Sequence, residues 1–227
     1  MNTLANTQIS APSNTAASKQ VDFATALQRL QDGNRRFVQD LRSIASLTTS
    51  AQRAALAAGQ SPFAVILSCA DSRVPSEMVF DQGLGDLFVV RVAGNVVAPS
   101  LVGSIEYAVE TFGTQLVVVM GHTGCGAVKA TLDHLEAPAV GSKNVLDIVE
   151  RIRPAVAPLV SSCSDRSSLM SAATRANVRA SAAQLRSGSP LLQERISAGH
   201  LVVVGAEYSL ETGVVDMFDG VPARSDN

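Results

Sequence analysis

Residues 63–73 read FAVILSCADSR, and residues 116–125 read LVVVMGHTGC. Each stretch opens with an apolar run of strand length, rich in Val, Ile and Leu and without polar alternation, which is typical of a strand covered on both faces. Each run then leads into residues with reactive side chains. Because ligands bind beyond the carboxyl ends of the strands in an open α/β sheet, the two stretches predict a functional site at that edge.

Two further apolar runs have the same character, and helical segments separate the four. The predicted strands are 63–68, 87–92, 116–120 and 201–204, and the predicted helices between them are 104–112, 126–135, 145–156, 177–185 and 190–198. Strands that alternate with helices predict a parallel sheet with right-handed crossovers. Residues 213–218 can add one strand. We therefore predict an α/β fold, with a mainly parallel β-sheet of four strands plus an edge strand and helices on both faces.

The chain before the sheet divides into two segments. Residues 1–20 are rich in Ser, Thr, Asn and Ala without apolar periodicity, which predicts a flexible N-terminal arm. Residues 21–60 carry apolar side chains at helical spacing from Phe23 to Leu41 and then a second short helical piece. We therefore expect a single domain over 21–227, made of a helical dimerisation arm over 21–60 and an α/β core over 61–220.

The composition excludes several functional classes. The 227 residues are 46% hydrophobic and 17% charged, which is typical of a globular rather than a disordered chain. Eighteen basic and twenty acidic residues give a formal charge of -2, which provides no basic surface for a nucleic-acid backbone. No apolar run approaches the roughly 18 residues of a membrane-spanning helix. Three cysteines are too few for a disulfide scaffold and favour thiol or metal chemistry.

The ends of the first and third predicted strands supply two thiols and an imidazole, from Cys69, His122 and Cys125. These groups suit zinc, and they can converge on one tetrahedral ion if the two strands are neighbours. Three protein ligands leave a fourth position for water, as in catalytic zinc sites. Because two thiolates already neutralise the ion, its water should be less acidic than in a three-histidine site. We therefore expect a rate that rises toward alkaline pH.

Asp71 and Arg73 follow the first ligand, and two arrangements of them are open. The Asp71 carboxylate could take the fourth position on zinc and close the site, or the Arg73 guanidinium could hold it away as a two-pronged partner. Held in that way, Asp71 could accept the proton of zinc-bound hydroxide. The second arrangement is favoured at neutral or higher pH because arginine stays charged.

Four stretches of the sequence carry a resemblance to a known family. They are CADSRV at 69–74, DLFVVRVAGN at 86–95, GSIEYAV at 103–109 and GHTGCG at 121–126. Together they resemble successive signatures of the β-class carbonic anhydrases, and the resemblance runs from about Phe23 to Phe218.

The resemblance implies a zinc lyase that hydrates carbon dioxide reversibly to bicarbonate and a proton, by attack of zinc-bound hydroxide. Its implied cofactor is one Zn²⁺ per subunit on Cys69, His122 and Cys125, with Asp71 and Arg73 as the catalytic dyad. The family builds its substrate pocket across a dimer interface, which implies a homodimer or a dimer of dimers. The matching pocket positions are Gln60, Phe88, Ala93, Tyr107 and Gly126. Gln60 would be an amide donor, and the others would form a small wall for an uncharged gas.

One subgroup of this family has a tryptophan three residues before the first ligand, where it helps to form an inhibitory bicarbonate site. This chain has Ile66 at that position and no tryptophan anywhere, although Arg91 of the inhibitory site is present. The resemblance therefore implies the other subgroup, in which the zinc is open to water.

Two other functions are open for the same residues. In a thiol enzyme, Cys125 would be the nucleophile and His122 its base. In a non-catalytic zinc module, Asp71 would close the coordination permanently. The expected compartment for a carbon-utilization enzyme of this kind is the cytoplasm, and the alternative is export after removal of a signal that preceded residues 1–20.

Overall fold

The computed structural model describes residues 20–43, 48–138, 141–163 and 165–223. Two N-terminal helices precede a region in which strands and helices alternate. The strands are β1 (Ala64–Ser68), β2 (Leu87–Arg91), β3 (Leu116–His122), β4 (Val202–Tyr208) and β5 (Val215–Asp219). The helices are α1 (Phe23–Val38), α2 (Ser50–Leu56), α3 (Ser76–Val79), α4 (Pro99–Phe112), α5 (Gly126–Glu136), α6 (Lys143–Val156), α7 (Arg166–Gly188) and α8 (Pro190–Ser197).

The strands form one sheet in the order β2-β1-β3-β4-β5. β1 pairs in parallel with β2 and with β3, and β3 pairs in parallel with β4. β5 pairs with β4 in the antiparallel direction and lies at the edge. This confirms the predicted fold of four parallel strands plus an edge strand.

Both faces of the sheet are covered by helices. Ile66 on β1 packs in a cluster with Leu30 of α1, whereas the next residue, Leu67, packs in a second cluster with Ile105 of α4 and Val178 of α7. Successive side chains of a strand point to opposite faces, so a strand buried on both sides must be apolar throughout. The predicted reactive residues therefore lie at the ends of the strands and not within them.

Two strands are longer than their apolar runs. β3 continues through His122 and β4 through Tyr208, because their parallel pairing persists from Gly121 opposite Glu207 to His122 opposite Tyr208. The apolar run ends before the strand does, because the backbone hydrogen bonds between the strands continue beyond it. His122 is consequently the last residue of a strand and not part of the loop after it.

The helix predicted over 177–185 is much longer in the structure. α7 begins at Arg166, where the side chain of Asp165 accepts a hydrogen bond from the backbone N–H of Ser168 and so caps the first turn. The early turns of α7 are rich in Ser, Ala and Arg and carry no clear apolar stripe, which explains the short prediction. The structure also contains features that the sequence did not predict, among them α3 and the 3₁₀ turns at Ala93–Asn95 and Ala157–Leu159.

The N-terminal segments are described only in part. Residues 1–19 of the predicted flexible arm lie outside the described residues, and that prediction stays open. In the segment 21–60, α1 covers one face of its own sheet through Ala26 and Leu30. The role of this segment in dimerisation stays a prediction. Across the described ranges, no helix is both long enough and apolar enough to cross a membrane.

Candidate metal centre

The three predicted metal ligands come from the carboxyl ends of two adjacent strands. Cys69 directly follows β1, His122 ends β3, and Cys125 is the residue before α5. β1 and β3 are paired neighbours, with Ser68 opposite Met120. Because both strands run in the same direction, their ends meet at one edge of the sheet.

The three side chains lie close together and are buried. One ring nitrogen of His122 and the Sγ atoms of Cys69 and Cys125 all lie within 4.8 Å of one another. The exposed fractions of Cys69, His122 and Cys125 are 4%, 0% and 1%. Two sulfurs and a nitrogen at this separation can bind one tetrahedral metal ion.

The surroundings of His122 favour metal binding through Nε2. Its Nδ1 lies 3.0 Å from the backbone oxygen of Thr123. A carbonyl oxygen only accepts hydrogen bonds, so Nδ1 carries the proton and Nε2 keeps a free lone pair. Within the part of the chain that the structure describes, Nε2 is buried without a hydrogen-bond partner. A buried polar atom without a partner is costly, and a zinc ion would satisfy it.

The two thiols interact directly with each other. The thiol of Cys125 donates a hydrogen bond that lowers the pKa of Cys69 well below its usual value, and the same bond raises the pKa of Cys125. Backbone N–H groups of Asp71 and Gly94, each 3.4 Å from the Sγ of Cys69, also stabilise a thiolate there. Because a metal binds cysteine as the thiolate, a metal cation would displace the thiol proton that these two sulfurs share in their hydrogen bond.

Arg73 holds the carboxylate of Asp71 in the two-pronged contact that the sequence favoured. Arg73 Nε donates to Asp71 Oδ1 at 2.9 Å and Arg73 Nη2 donates to Oδ2 at 2.7 Å. These bonds lower the pKa of Asp71 far below its usual range and raise the pKa of Arg73. Asp71 Oδ2 lies 3.9 Å from the Nε2 of His122. An ionised carboxylate therefore stands beside the candidate metal position with both oxygens bound to arginine.

Arg91 on β2 supports the segment that carries Cys69 and Asp71. Its Nε donates to the backbone oxygen of Cys69 at 3.1 Å, and its Nη2 donates to that of Asp71 at 2.6 Å. The sequence indicated Arg91 only as a residue of an anion site, and gave no sign of this contact. A single arginine in a strand has no pattern from which its partner could be predicted.

Asn177 on α7 is a second residue that the sequence analysis did not identify. It is 2% exposed, and its Nδ2 donates to the backbone oxygen of Gly94 at 2.8 Å. Gly94 in turn donates its N–H to the sulfur of Cys69. Asn177 lies far from the motifs along the chain, so only the structure reveals this connection.

The predicted pocket residues occupy three places. Phe88 on β2 and Tyr107 on α4 lie together, with ring centroids 6.4 Å apart. Ala93 precedes Gly94 in the 3₁₀ turn, and Gly126 follows Cys125 at the start of α5, so the chain itself places both beside the ligands. Gln60 is exposed in the segment between α2 and β1, on a surface groove.

Comparisons with known proteins agree on one family. A family model described as "Carbonic anhydrase" matches residues 64–215. Carbonic anhydrase 2 of Mycobacterium tuberculosis is 43% identical over 188 residues, which cover 83% of this chain and 89% of that protein.

Solved structures show the same fold. The β-carbonic anhydrase CcaA matches with a TM-score of 0.69 and 26% identity, over 88% of this chain and 93% of that chain. A structure described as one of two tetrameric β-carbonic anhydrases from Sordaria macrospora matches with a TM-score of 0.67 and 23% identity, over 73% of this chain and 85% of that chain. From its sequence, its fold and its buried Cys-His-Cys cluster, the chain belongs to the β-class carbonic anhydrase family.

Proposed function

We propose that this carbonic anhydrase holds one Zn²⁺ per subunit on Cys69, His122 and Cys125 and uses it in the reversible hydration of carbon dioxide to bicarbonate and a proton. The observation that carries the proposal is the buried Nε2 of His122, which lies beside two cysteine sulfurs and has no hydrogen-bond partner among the residues that the structure describes. The donor set of one nitrogen and two sulfurs matches the ligands that zinc prefers.

Held by Cys69, His122 and Cys125, a zinc ion would lower the pKa of a bound water molecule enough for it to act as a nucleophile. Asp71 contributes a hydrogen-bond acceptor, because its carboxylate is ionised and its Oδ2 lies 3.9 Å from the Nε2 of His122. A carboxylate there can accept a hydrogen bond from the attacking solvent molecule and so orient its lone pair toward carbon dioxide. Arg73 keeps that carboxylate ionised and turned toward the guanidinium, so that Asp71 would not itself serve as a fourth ligand.

The substrate pocket that we propose comprises Gln60, Phe88, Ala93, Tyr107 and Gly126. The aromatic pair supplies an apolar wall for an uncharged gas, and Tyr107 is 49% exposed in the single chain, which leaves it available to a neighbouring subunit. Gln60 would donate its amide to a substrate oxygen. This arrangement requires that two subunits share each pocket.

We further propose the subgroup in which the zinc is open to water and no inhibitory bicarbonate binds. Ile66, which stands at the tryptophan position of the other subgroup, is completely buried in the core with Leu30 of α1. Arg91 is engaged with the backbone oxygens of Cys69 and Asp71. Both observations support a site without the inhibitory anion.

The assembly that we propose is a homodimer or a dimer of dimers, with residues 21–60 as the dimerisation arm and residues 1–20 as a flexible extension of it. The tetrameric Sordaria macrospora structure and the exposed apolar side chains of Leu41, Leu84 and Tyr107 support this. Sedimentation equilibrium should give at least two chains per particle. A monomer would contradict both the arm and the shared pocket.

The cytoplasm is the compartment that we propose, with a role in carbon utilization, because Cys69 and Cys125 must stay reduced to bind a metal and a reducing compartment preserves such thiols. Export remains the alternative. Fractionation of cells that produce the full chain separates the two, since recovery outside the cytoplasm would overturn the proposal.

Metal analysis and carbon dioxide hydration test the central proposal. The wild type should contain one zinc per chain and hydrate carbon dioxide with a rate that rises toward alkaline pH. Cys69→Ser should lose most of both, whereas Asp71→Asn should keep zinc and lose activity by about two to four orders of magnitude, the contribution typical of a positioned general acid or base. Cys163→Ser is the matched control, because Cys163 is a free cysteine outside the cluster.

Each alternative function gives a different result. A thiol enzyme would work without stoichiometric zinc and would be inactivated by alkylation of Cys125. A non-catalytic zinc module would contain zinc, but its wild type would be no more active than Asp71→Asn. Either result would overturn the assignment of these residues to hydration.

A further inference from the structure

The peptide groups around Gly94 connect helix α7 to the sulfur of Cys69. Gly94 lies in the 3₁₀ turn Ala93–Asn95, with φ 70° and ψ 17°. Its N–H is 3.4 Å from the Sγ of Cys69, and its backbone oxygen accepts a hydrogen bond of 2.8 Å from the Nδ2 of Asn177. One residue of the turn therefore contacts a predicted metal ligand on one side and a buried amide on the other.

The backbone of this turn needs support to keep its conformation. Gly94 has a positive φ, and so does the next residue, Asn95, at 45°. Left-handed conformations of residues other than glycine are costly and persist only where the surroundings impose them. The hydrogen bond from Asn177 fixes the peptide group between these two residues. The Gly94 N–H belongs to the preceding peptide group, which is joined to it through the Gly94 Cα, so this bond restrains the direction of the N–H through the backbone angles of Gly94.

Packing restrains the same turn from another direction. A Cβ atom at Gly94 would lie 2.7 Å from the Cδ1 of Ile152 on α6 and 3.0 Å from the Cβ of Ala127 on α5. Asn95 is 1% exposed, and its Nδ2 has no hydrogen-bond partner among the described residues. The side chain of Asn95 thus gives its own turn no such bond through Nδ2, and Asn177 supplies one from α7.

We propose that Asn177 is a positioning residue for the metal ligand Cys69 and acts on it through the Gly94 peptide. The inference rests on the proposed function, because it requires a metal on Cys69. An N–H group that donates to a ligand sulfur withdraws electron density from it and fixes its direction, and such outer contacts strongly affect metal affinity. Without Asn177, the turn keeps its packing and the 3.1 Å hydrogen bond from the Asn95 N–H to the Val92 oxygen but loses one restraint, so the Gly94 N–H can shift away from the sulfur.

A variant of Asn177 with a matched control on the same helix tests this role. Asn177→Leu keeps the branched shape of the side chain and removes the donor. Thr174→Val, one turn earlier on α7, changes an equally buried residue whose hydroxyl donates only to Met170 within the helix. Zinc affinity is measured by competition with a chelator, and the thiolate-to-metal charge-transfer band is recorded after substitution with Co²⁺.

In Asn177→Leu, zinc affinity should fall about tenfold, as is typical when a group that supports a ligand is removed. The cobalt charge-transfer band should move to longer wavelength, because a sulfur that has lost an N–H donor gives up an electron more readily. Thr174→Val should match the wild type in both measurements. A folded Asn177→Leu protein with wild-type affinity and band, or equal changes in Thr174→Val, would overturn the proposal.

A measurement on the wild type keeps the test decisive if Asn177→Leu does not fold. In protein loaded with ¹¹³Cd, the amide proton of Gly94 should show scalar coupling to the metal through the sulfur of Cys69. A second variant, Asn177→Ala, should fold with less steric demand and reduce that coupling. Absence of the coupling in the wild type, or an undiminished coupling in Asn177→Ala, overturns the inference. A wild type that binds no zinc, cobalt or cadmium overturns the proposed function instead.

Discussion

The buried imidazole of His122 donates through Nδ1 to the backbone oxygen of Thr123 and leaves Nε2 without a hydrogen-bond partner among the described residues. Burial of such a nitrogen has a free-energy cost, which a bound cation would remove. Asp71, by contrast, has both carboxylate oxygens bound to Arg73. The ligand nitrogen is thus available to a metal, and the neighbouring carboxylate is held back.

Tyr208 provides a test of burial at the end of β4. Its ring lies 6.4 Å from that of Phe37, and burial raises its pKa above the usual value. The chain has two tyrosines, so in Tyr107→Phe the tyrosinate absorbance reports Tyr208 alone. The midpoint should lie at higher pH in the folded protein than in denaturant.

The raised pKa also predicts how stability depends on pH. Folded Tyr208 binds its proton more tightly than unfolded Tyr208, so its contribution to the free energy of unfolding is complete below the unfolded pKa of about 10. That contribution is lost as the pH rises through the folded pKa. Identical midpoints with and without denaturant would contradict the burial of this hydroxyl.

The sequence analysis identified the candidate ligands and the dyad, but not the residues that hold them. Cys, His, Asp and Arg side chains that follow two buried apolar runs together form a pattern that indicates a metal site. Asn177 is one asparagine in a long helix, and Arg91 is one arginine at the end of a strand. Their contacts depend on where α7 and β2 lie in three dimensions, which no local pattern specifies.

Among the secondary-structure elements, the contact between α1 and α3 depends on Gly33. A Cβ atom at this position would lie 1.7 Å from the backbone oxygen of Phe80, the residue that follows α3. Judged by helix propensity alone, glycine at this position would only weaken the helix. The structure shows that the missing side chain allows the two backbones to approach.

Gly33→Ala should therefore destabilise the protein, although alanine favours helices. The backbones must separate, which costs about 2 to 3 kcal/mol for an overpacked site. Gly103→Ala is the matched control, because Gly103 lies in α4 with open space around its Cβ position. It should stabilise the folded protein by about 0.5 to 1 kcal/mol. Urea unfolding of both variants measures the difference, and equal effects would contradict the close contact.

Strands were easier to predict than helix lengths. The buried strands are continuous apolar runs, so their positions were correct, but β3 and β4 extend beyond those runs because backbone pairing does not require apolar residues. α7 was predicted at less than half of its length. Its small Ser and Ala residues pack close to the sheet without forming an apolar stripe, so hydrophobic periodicity does not indicate a helix there.

For the whole molecule, metal binding should be coupled to stability. The ligands join the ends of β1 and β3 to the start of α5, and Cys69 and Cys125 belong to a core cluster with α6 and α7 residues. A ligand that binds only the folded state stabilises it by about 2.7 kcal/mol at a hundredfold excess over its dissociation constant. For a chain of this size, that corresponds to a rise in melting temperature of roughly 5 to 10 °C.

Calorimetry of metal-free protein with added zinc checks this expectation. The melting temperature of the wild type and of Cys163→Ser should rise with zinc concentration. His122→Ala should melt at a temperature that zinc does not change. If zinc left the wild-type transition unchanged, the three side chains would not form a metal site in the folded protein.

The order of the strands in space has a consequence for biosynthesis. Central strand β3 is complete at His122, yet one of its two partners, β4, begins only at Val202. During synthesis, about eighty further residues must be translated after β3 before β4 begins, which takes on the order of 4 to 16 seconds. Throughout that time, the edge of β3 that later pairs with β4 has no strand to bind its backbone amides and carbonyls. Nascent chains that stall before Val202 would expose this edge to other polypeptides, and arrested translation in that interval should favour aggregation.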